Sequence, residues 1–216
     1  MKKKLLILSG PTHEYIDPVR YIGNASSGKM GAAIAETAIR FGWFVDFISG
    51  PVHSSNLPNL QQNGTLHHVT SAEEMLEAAT HLFPSVQATV FAAAVADFKP
   101  REKVSRKMDH QDETFDLQLE PTKDIAASLG HHKKSNQKCV GFALQTHDML
   151  SKAREKLSNK NLDAIVINDP DAIGADQGTY QWMDFSSNAP QNWGNLNKHE
   201  CAERIIQCLT DWYNAT

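Results

Sequence analysis

An α/β fold, a Rossmann-like doubly wound and mostly parallel sheet, is what the sequence predicts, and three observations predict it. Short apolar runs rich in Ile, Val and Phe alternate with longer segments of helical period, the rhythm of parallel strands returned by crossover helices. The 216 residues carry 41% hydrophobic and 21% charged side chains, an ordinary globular composition for a chain that can bury roughly 70% of its unfolded surface. Two polar stretches break the rhythm and read as excursions from one core spanning residues 1–216.

The expected strands are residues 4–9, 44–49, 67–70, 88–94, 138–144 and 164–168. The first follows Met1-Lys-Lys-Lys, and its four apolar residues are too few for the apolar segment of a signal peptide. Residues 28–41 place Met30, Ile34, Ala38 and Phe41 on one helical stripe, closed by Gly42. Ser71 with Glu74 forms a capping box that opens a helix towards His81. Met149, Leu150, Ala153 and Leu157 give a third stripe, and Cys201, Ile205, Cys208, Leu209 and Trp212 a fourth. Residues 99–120 look like an inserted hairpin or flap, with residues 114–119 alternating as a strand would. Residues 170–197 look like a second hairpin, with its strand at 179–185.

Charge and cysteine usage exclude several classes. Lys and Arg number 21 against 25 Asp and Glu, a net charge of −4, so no global positive field draws in nucleic acid. No apolar run approaches the roughly 20 residues of a membrane helix. The three cysteines form no C-x-x-C pair, which argues against a disulfide framework or zinc site and for packing roles in a reducing cytoplasm. His67-His68 and His131-His132 are not spaced as metal pairs.

The first strand ends in Ser9-Gly10-Pro11-Thr12, without the G-x-G-x-x-G of a dinucleotide site. Residues 23–29 match the G-x-x-x-x-G-K of a P-loop, but Met30 replaces the hydroxyl that would hold magnesium. Thirteen residues also separate Gly23 from the strand end, so a P-loop phosphotransferase is disfavoured. What survives is Ser26-Ser27-Gly28 at a helix start, where free N–H groups favour an anion. Lys29 adds a charge there or is simply solvated. Arg20 and Asn24, just ahead, could reach a carboxylate or phosphate, or could serve turn geometry.

Taken together, Gly10-Pro-Thr-His-Glu, Asp17-Pro-Val-Arg-Tyr-Ile and Asn24-Ala-Ser-Ser-Gly-Lys-Met-Gly resemble the opening signature of the phosphopantothenoylcysteine synthetases, ligases of coenzyme A biosynthesis. Ser49-Gly-Pro-Val, Ala93-Ala-Val-Ala-Asp-Phe, Val140-Gly-Phe-Ala and Ala153-Arg-Glu-Lys-Leu with Lys160-Asn-Leu-Asp extend the likeness along nearly the whole chain. The resemblance implies joining of 4'-phosphopantothenate to cysteine through an acyl-cytidylate made from CTP, with release of pyrophosphate and then CMP. It also implies Mg2+ arriving with the nucleotide, a homodimer, and a stand-alone ligase without flavin that works beside a separate phosphopantothenoylcysteine decarboxylase. ATP in place of CTP, and a non-catalytic nucleotide-binding regulator on the same scaffold, are the alternatives.

Residue by residue, the resemblance assigns Asn24 to holding the acyl nucleotide, with Arg20, Ser26 and Lys29 also at the substrate. It assigns Lys103 to the flap cation, Asp97 to an acid near the nucleotide, and Lys156 and Lys160 to a pair on one helical face. Gly10, Ser27, Gly28, Ala94 and Phe142 complete the nucleotide contacts. The chemistry suits these types, because a carboxylate attacking an α-phosphate brings two polyanions together and needs cations between them. Three departures stand out: Lys103-Val-Ser-Arg106-Lys107 for a lysine-richer flap, Gln145 for an acid, and Glu120-Pro-Thr-Lys123 with its positive charge displaced.

Overall fold

The computed structural model describes residues 3–109, 114, 116–144, 149–169, 177–187 and 189–214. Its centre is an eight-stranded sheet. Strands β1 (Lys4–Ser9), β4 (Phe44–Ser49), β5 (Gly64–His68), β6 (Ala88–Phe91), β9 (Lys138–Leu144) and β10 (Ala164–Asn168) are parallel; β11 (Gln177–Asp184) and β12 (Gln191–Asn197) add an antiparallel hairpin at one edge. The order is β12-β11-β10-β9-β6-β1-β4-β5. From β1 the chain winds outward through β4 and β5, returns to β6 on the other side of β1, and continues to β9 and β10. The α/β expectation holds.

Strands β1, β4, β6 and β10 are almost wholly buried, as continuous apolar runs must be when helices cover both faces. On one face, α1 (Lys29–Arg40) and α5 (Lys198–Asn214) pack Ile34, Ala38, Ile205 and Leu209 against Leu5, Ile7, Val45 and Val90. On the other, α2 (Ala72–Leu82), α3 (Ile125–Gly130) and α4 (Met149–Asn159) pack Met75, Ala79, Ile125, Ala153 and Leu157 against Leu6, Leu8 and Ile48. Cys139 and Cys201 are fully buried, Cys208 half-buried, and none is paired. Burial pushes the Cys139 and Cys201 thiols up to about 12, so both act as packing groups.

The α2 capping box is present: Ser71 accepts from the Glu74 N–H at 3.2 Å. Helix α1 departs from its predicted stripe at Phe41, which is 40% exposed because it sits at the C-cap. Gly42 at φ +84° turns the chain, and Trp43 takes the inward position instead. The strand expected at 67–70 lies at 64–68. The strand expected at 88–94 stops at Phe91, because Ala94 leaves the sheet to bridge Pro11.

Two short antiparallel ribbons flank the sheet, β2 (His13–Tyr15) with β3 (Tyr21–Gly23), and β7 (Phe98–Pro100) with β8 (Leu119–Pro121). The second forms the base of the excursion at 99–120, and Lys99 meets Glu120 across it at 3.4 Å. Within it the alternation at 114–119 makes no strand among the described residues before Leu119; residues 110–113 and 115 lie outside them. Gln145 also lies outside the described residues.

Ile34 is fully buried at the contact of α1 with the sheet. Ile34→Ala should cost about 3 kcal/mol of stability, read as a lowered urea midpoint at unchanged slope.

Candidate active site

The strand order reverses between β1 and β6, and at such a point the loops leaving the carboxyl ends diverge and open a crevice. Here the crevice is a cavity of about 650 Å3, reached by Leu8 of β1, Phe91 of β6, Phe142 of β9 and Asn168 of β10.

One wall is the start of α1. Gly28 occupies the N-cap at φ +74° with no side chain capping the helix and no acid in its first turn. The orphan amides of that turn and the positive end of the helix dipole therefore remain available to an anion. The helix reaches this place because Gly31 has no side chain: a Cβ there would lie 2.1 Å from Ser9 Oγ. Ser9 Oγ in turn donates to the Gly28 carbonyl at 3.2 Å. Gly10, at φ +80°, packs behind Gly28 and is not in the lining; its carbonyl accepts from the Ala94 N–H at 2.9 Å.

The opposite wall is the loop after β6. Besides the Ala94 bond, Ala96 N–H donates to Thr12 Oγ1 at 2.9 Å, Thr122 Oγ1 donates to the Ala96 carbonyl at 2.6 Å, and Thr122 N–H donates to the Asp97 carbonyl at 3.0 Å. Asn24 joins the walls by donating its Nδ2 to the carbonyls of Val95 at 2.9 Å and Ala94 at 3.4 Å. That commits the amide as donor and leaves Oδ1 as an acceptor.

Five lysines (29, 123, 156, 160 and 198) and two aspartates (97 and 124) line the cavity, a formal excess of three positive charges in a chain of net charge −4. Lys160 Nζ lies 2.9 Å from Asp124 Oδ2. Burial works to raise the Asp124 pKa, but the Ala127 N–H at the α3 N-cap and the Lys160 ammonium outweigh it and hold the carboxyl below its ordinary range. Burial first, and the Lys160 charge second, lower the Lys156 pKa against the pull of Asp97 and Asp124. Gly130 sets this pair in place, since a Cβ there would lie 1.9 Å from the Lys160 carbonyl oxygen.

The structure thus gathers Asn24, Ser26, Ser27, Gly28, Lys29, Ala94, Asp97, Phe142, Lys156 and Lys160 around one cavity. Three expected residues lie outside that lining, Gly10 being the one already placed behind Gly28. Arg20 is bound by Asp17 at 3.4 Å and by the Met108 carbonyl at 2.5 Å, and Lys103 Nζ sits 5.4 Å from the Tyr15 ring centroid. Sequence reading missed Asp124, Asn168, Tyr180 and Lys198, all in the lining. Asp124 carried a signal, an Asp preceding a short apolar run as an N-cap does. Lys123 restores to the cleft the positive charge that the 120–125 stretch displaces.

A switch-point cleft with cationic walls and an uncapped helix start makes this an α/β protein whose cleft is suited to an anionic ligand. The chain belongs to the DNA/pantothenate metabolism flavoprotein C-terminal domain family, which matches residues 1–213. It is 44% identical over 176 residues, 82% of its length, to the coenzyme A biosynthesis bifunctional protein CoaBC of Bacillus subtilis (strain 168), covering 42% of that protein. It is 43% identical over 209 residues, 95% of its length, to a cysteine/cysteine sulfinic acid decarboxylase of an unknown prokaryotic organism, covering 57% of it. The chain therefore spans about half the length of these curated relatives. The crystal structure of a CoaBC C-terminal domain superposes with a TM-score of 0.83 at 34% identity, over 99% of this chain and 97% of that one.

Lys156 should titrate below the ordinary lysine range when followed by NMR, and pyrophosphate should move its titration upward. An unmoved titration would show that no anion settles beside it.

Proposed function

We propose that the chain is the ligase that joins 4'-phosphopantothenate to L-cysteine, with CTP activating the carboxylate. The observation that carries this reading is the cationic excess facing the helix start in a chain that is negative overall, supported by membership of the DNA/pantothenate metabolism flavoprotein C-terminal domain family.

In the first step a pantothenate carboxylate oxygen attacks the nucleotide α-phosphorus and pyrophosphate leaves. Two anions must approach within bonding distance, which the α1 amides, Lys156 and Lys160 make affordable by offsetting charge in a partly water-excluded cleft. The Ala94 and Phe142 backbone regions line the place of the nucleoside. Asn24 Oδ1 can accept the amide N–H of the pantothenate chain and so hold the acyl nucleotide until cysteine arrives. Among the described residues no three carboxylate, imidazole or thiolate groups gather as a metal cage. A Mg2+ ion ligated mainly by nucleotide phosphates, with Asp97 beside it, fits that donor set and would neutralise phosphate charge.

Arg20 and Lys103 find a role at the margin of the site. Val19, Tyr21, Phe98, Val104 and Leu119 are between 39% and 59% exposed and lie on the two ribbons or in the loops beside them, which the Val104 N–H bond to the Ile16 carbonyl and the Arg20 bond to the Met108 carbonyl tie together. We assign this apolar face to a homodimer contact that carries Arg20 towards the substrate, and Lys103 to a flap closing over bound nucleotide. The three free thiols suit a reducing cytoplasm, where a decarboxylase would take the product onward.

Purified protein given 4'-phosphopantothenate and CTP should exchange labelled pyrophosphate into CTP, and should release CMP once cysteine is added. ATP in parallel reads the base preference, and carbon dioxide release from cysteine alone tests the decarboxylase reading that the 43% identical relative suggests. No exchange with either nucleotide rejects the ligase. Asn24→Ala should keep pyrophosphate exchange while amide formation falls about 100-fold; loss of exchange as well would place Asn24 in the first step instead.

A further inference from the structure

A second cavity, of about 610 Å3, opens between the β2–β3 ribbon and residues 51–56. It shares Asn24, Ala25, Ser26 and Ser27 with the cationic cleft. Its lining differs in kind: His13, Tyr21, His53 and Asn56 are the polar groups beyond the shared segment, and among the described residues no Lys, Arg, Asp or Glu lines it. A dianion would find no countercharge there. A net-neutral zwitterion needs no net countercharge and would find hydrogen-bonding partners.

The two histidines are differently set. His53 Nδ1 accepts the Ser55 N–H at 3.3 Å, which places the neutral ring's proton on Nε2 as a donor. His13 stacks on Tyr21, with ring centroids 3.7 Å apart and planes 12° from parallel. Gly23 makes that packing possible, since a Cβ there would lie 3.2 Å from His13 Cδ2 and 2.8 Å from the Thr12 carbonyl oxygen. Burial lowers the His13 pKa against a smaller opposing effect of Glu14, so the ring is neutral near pH 7 and able to accept a proton.

We propose that this cavity receives the amino-acid co-substrate, cysteine, and that His13 is the base that removes a proton from its ammonium group. The inference rests on the ligase reading above. His53 Nε2–H and the Asn56 amide supply donors for the cysteine carboxylate, while the lack of any acid in the lining leaves the ammonium unsupported and favours the free amine. Asn24 belongs to both cavities, so amine and acyl group meet at that residue from opposite sides.

The step balances as follows. One ammonium proton passes to His13. The freed nitrogen lone pair attacks the acyl carbon, a C–N bond forms, and the C–O bond to phosphorus-bound oxygen breaks with its electron pair leaving on the nucleoside monophosphate. The second N–H proton is lost to that departing phosphate.

His13→Asn separates the two half-reactions. Pyrophosphate exchange without cysteine should stay within about twofold of wild type, amide formation with cysteine should fall about 100-fold, and hydroxylamine, an amine already neutral near pH 7, should still trap the acyl group as hydroxamate. Asn56→Ala should raise the cysteine KM about tenfold and leave the phosphopantothenate KM unmoved; it also keeps the test open should His13→Asn misfold by circular dichroism. An undiminished cysteine rate in His13→Asn, hydroxamate trapping lost along with the amide, or a rise in phosphopantothenate KM in Asn56→Ala overturns the assignment. Absence of exchange in the wild-type protein overturns the ligase reading itself, so the two failures are distinct.

Discussion

The close approach of helix α1 to strand β1 is the constraint on which the cleft depends. Ser9 Oγ stands where a Gly31 side chain would be, and Gly28 starts the helix in a left-handed conformation with no capping side chain. Gly in place of a Ser or Asp cap costs only a few tenths of a kcal/mol. The far end of the same helix offsets it many times over, with Ile34 and Ala38 buried against the sheet and α5. The helix is thereby held by its buried face while its N-terminus opens on the crevice with no capping side chain.

Charge is distributed by the same logic of local cost and remote support. Lys156 and Lys160, four residues apart, repel by a few tenths of a kcal/mol on a helix surface. Asp124 pairs directly with Lys160 and also favours the charge on Lys156, and as the N-cap of α3 it is itself held in place. Partly exposed pairs of this kind contribute about 0–1 kcal/mol, too little to explain the arrangement by stability. Its effect is positional: Lys160 is fixed, and Lys156 is left as a half-buried cation whose charged form gains most from an arriving anion.

The fold was legible where local chemistry and tertiary structure agree. The apolar runs at 4–9, 44–49, 138–144 and 164–168 became strands, and Ser71 with Glu74 closed its capping box, because burial on both faces and caps are read from neighbouring residues. The two ribbons were not legible. Phe98–Pro100 pairs with Leu119–Pro121 across an excursion, and three-residue strands carry no period of their own. Of the alternation at 114–119, Leu119 pairs opposite Pro100 and the described residues before it form no strand, since alternation alone does not supply a partner. In the site, the helix start and the Lys156/Lys160 pair were visible as motif and spacing. Lys198 and Tyr180 were not, since each belongs to the β11–β12–α5 segment and reaches the cleft only through sheet order.

The positions of the two cavities suit the acyl nucleotide proposed above. Water discharges such an anhydride unproductively in competition with the amine, so a productive site would hold cations for its formation and a drier route for its discharge. One compartment with both properties would conflict with itself, because lysines retain hydration and would also compete with the amine as electrophile-facing groups. Lysines line the first cavity, and among the described residues no charged side chain lines the second, while Asn24–Ser27 line both, which would ease the conflict. Gly23 lets the β3 strand end hard against Thr12 and His13, and Gly28 begins the helix immediately beyond this shared segment. The glycines at either end therefore fix the backbone that the two cavities have in common.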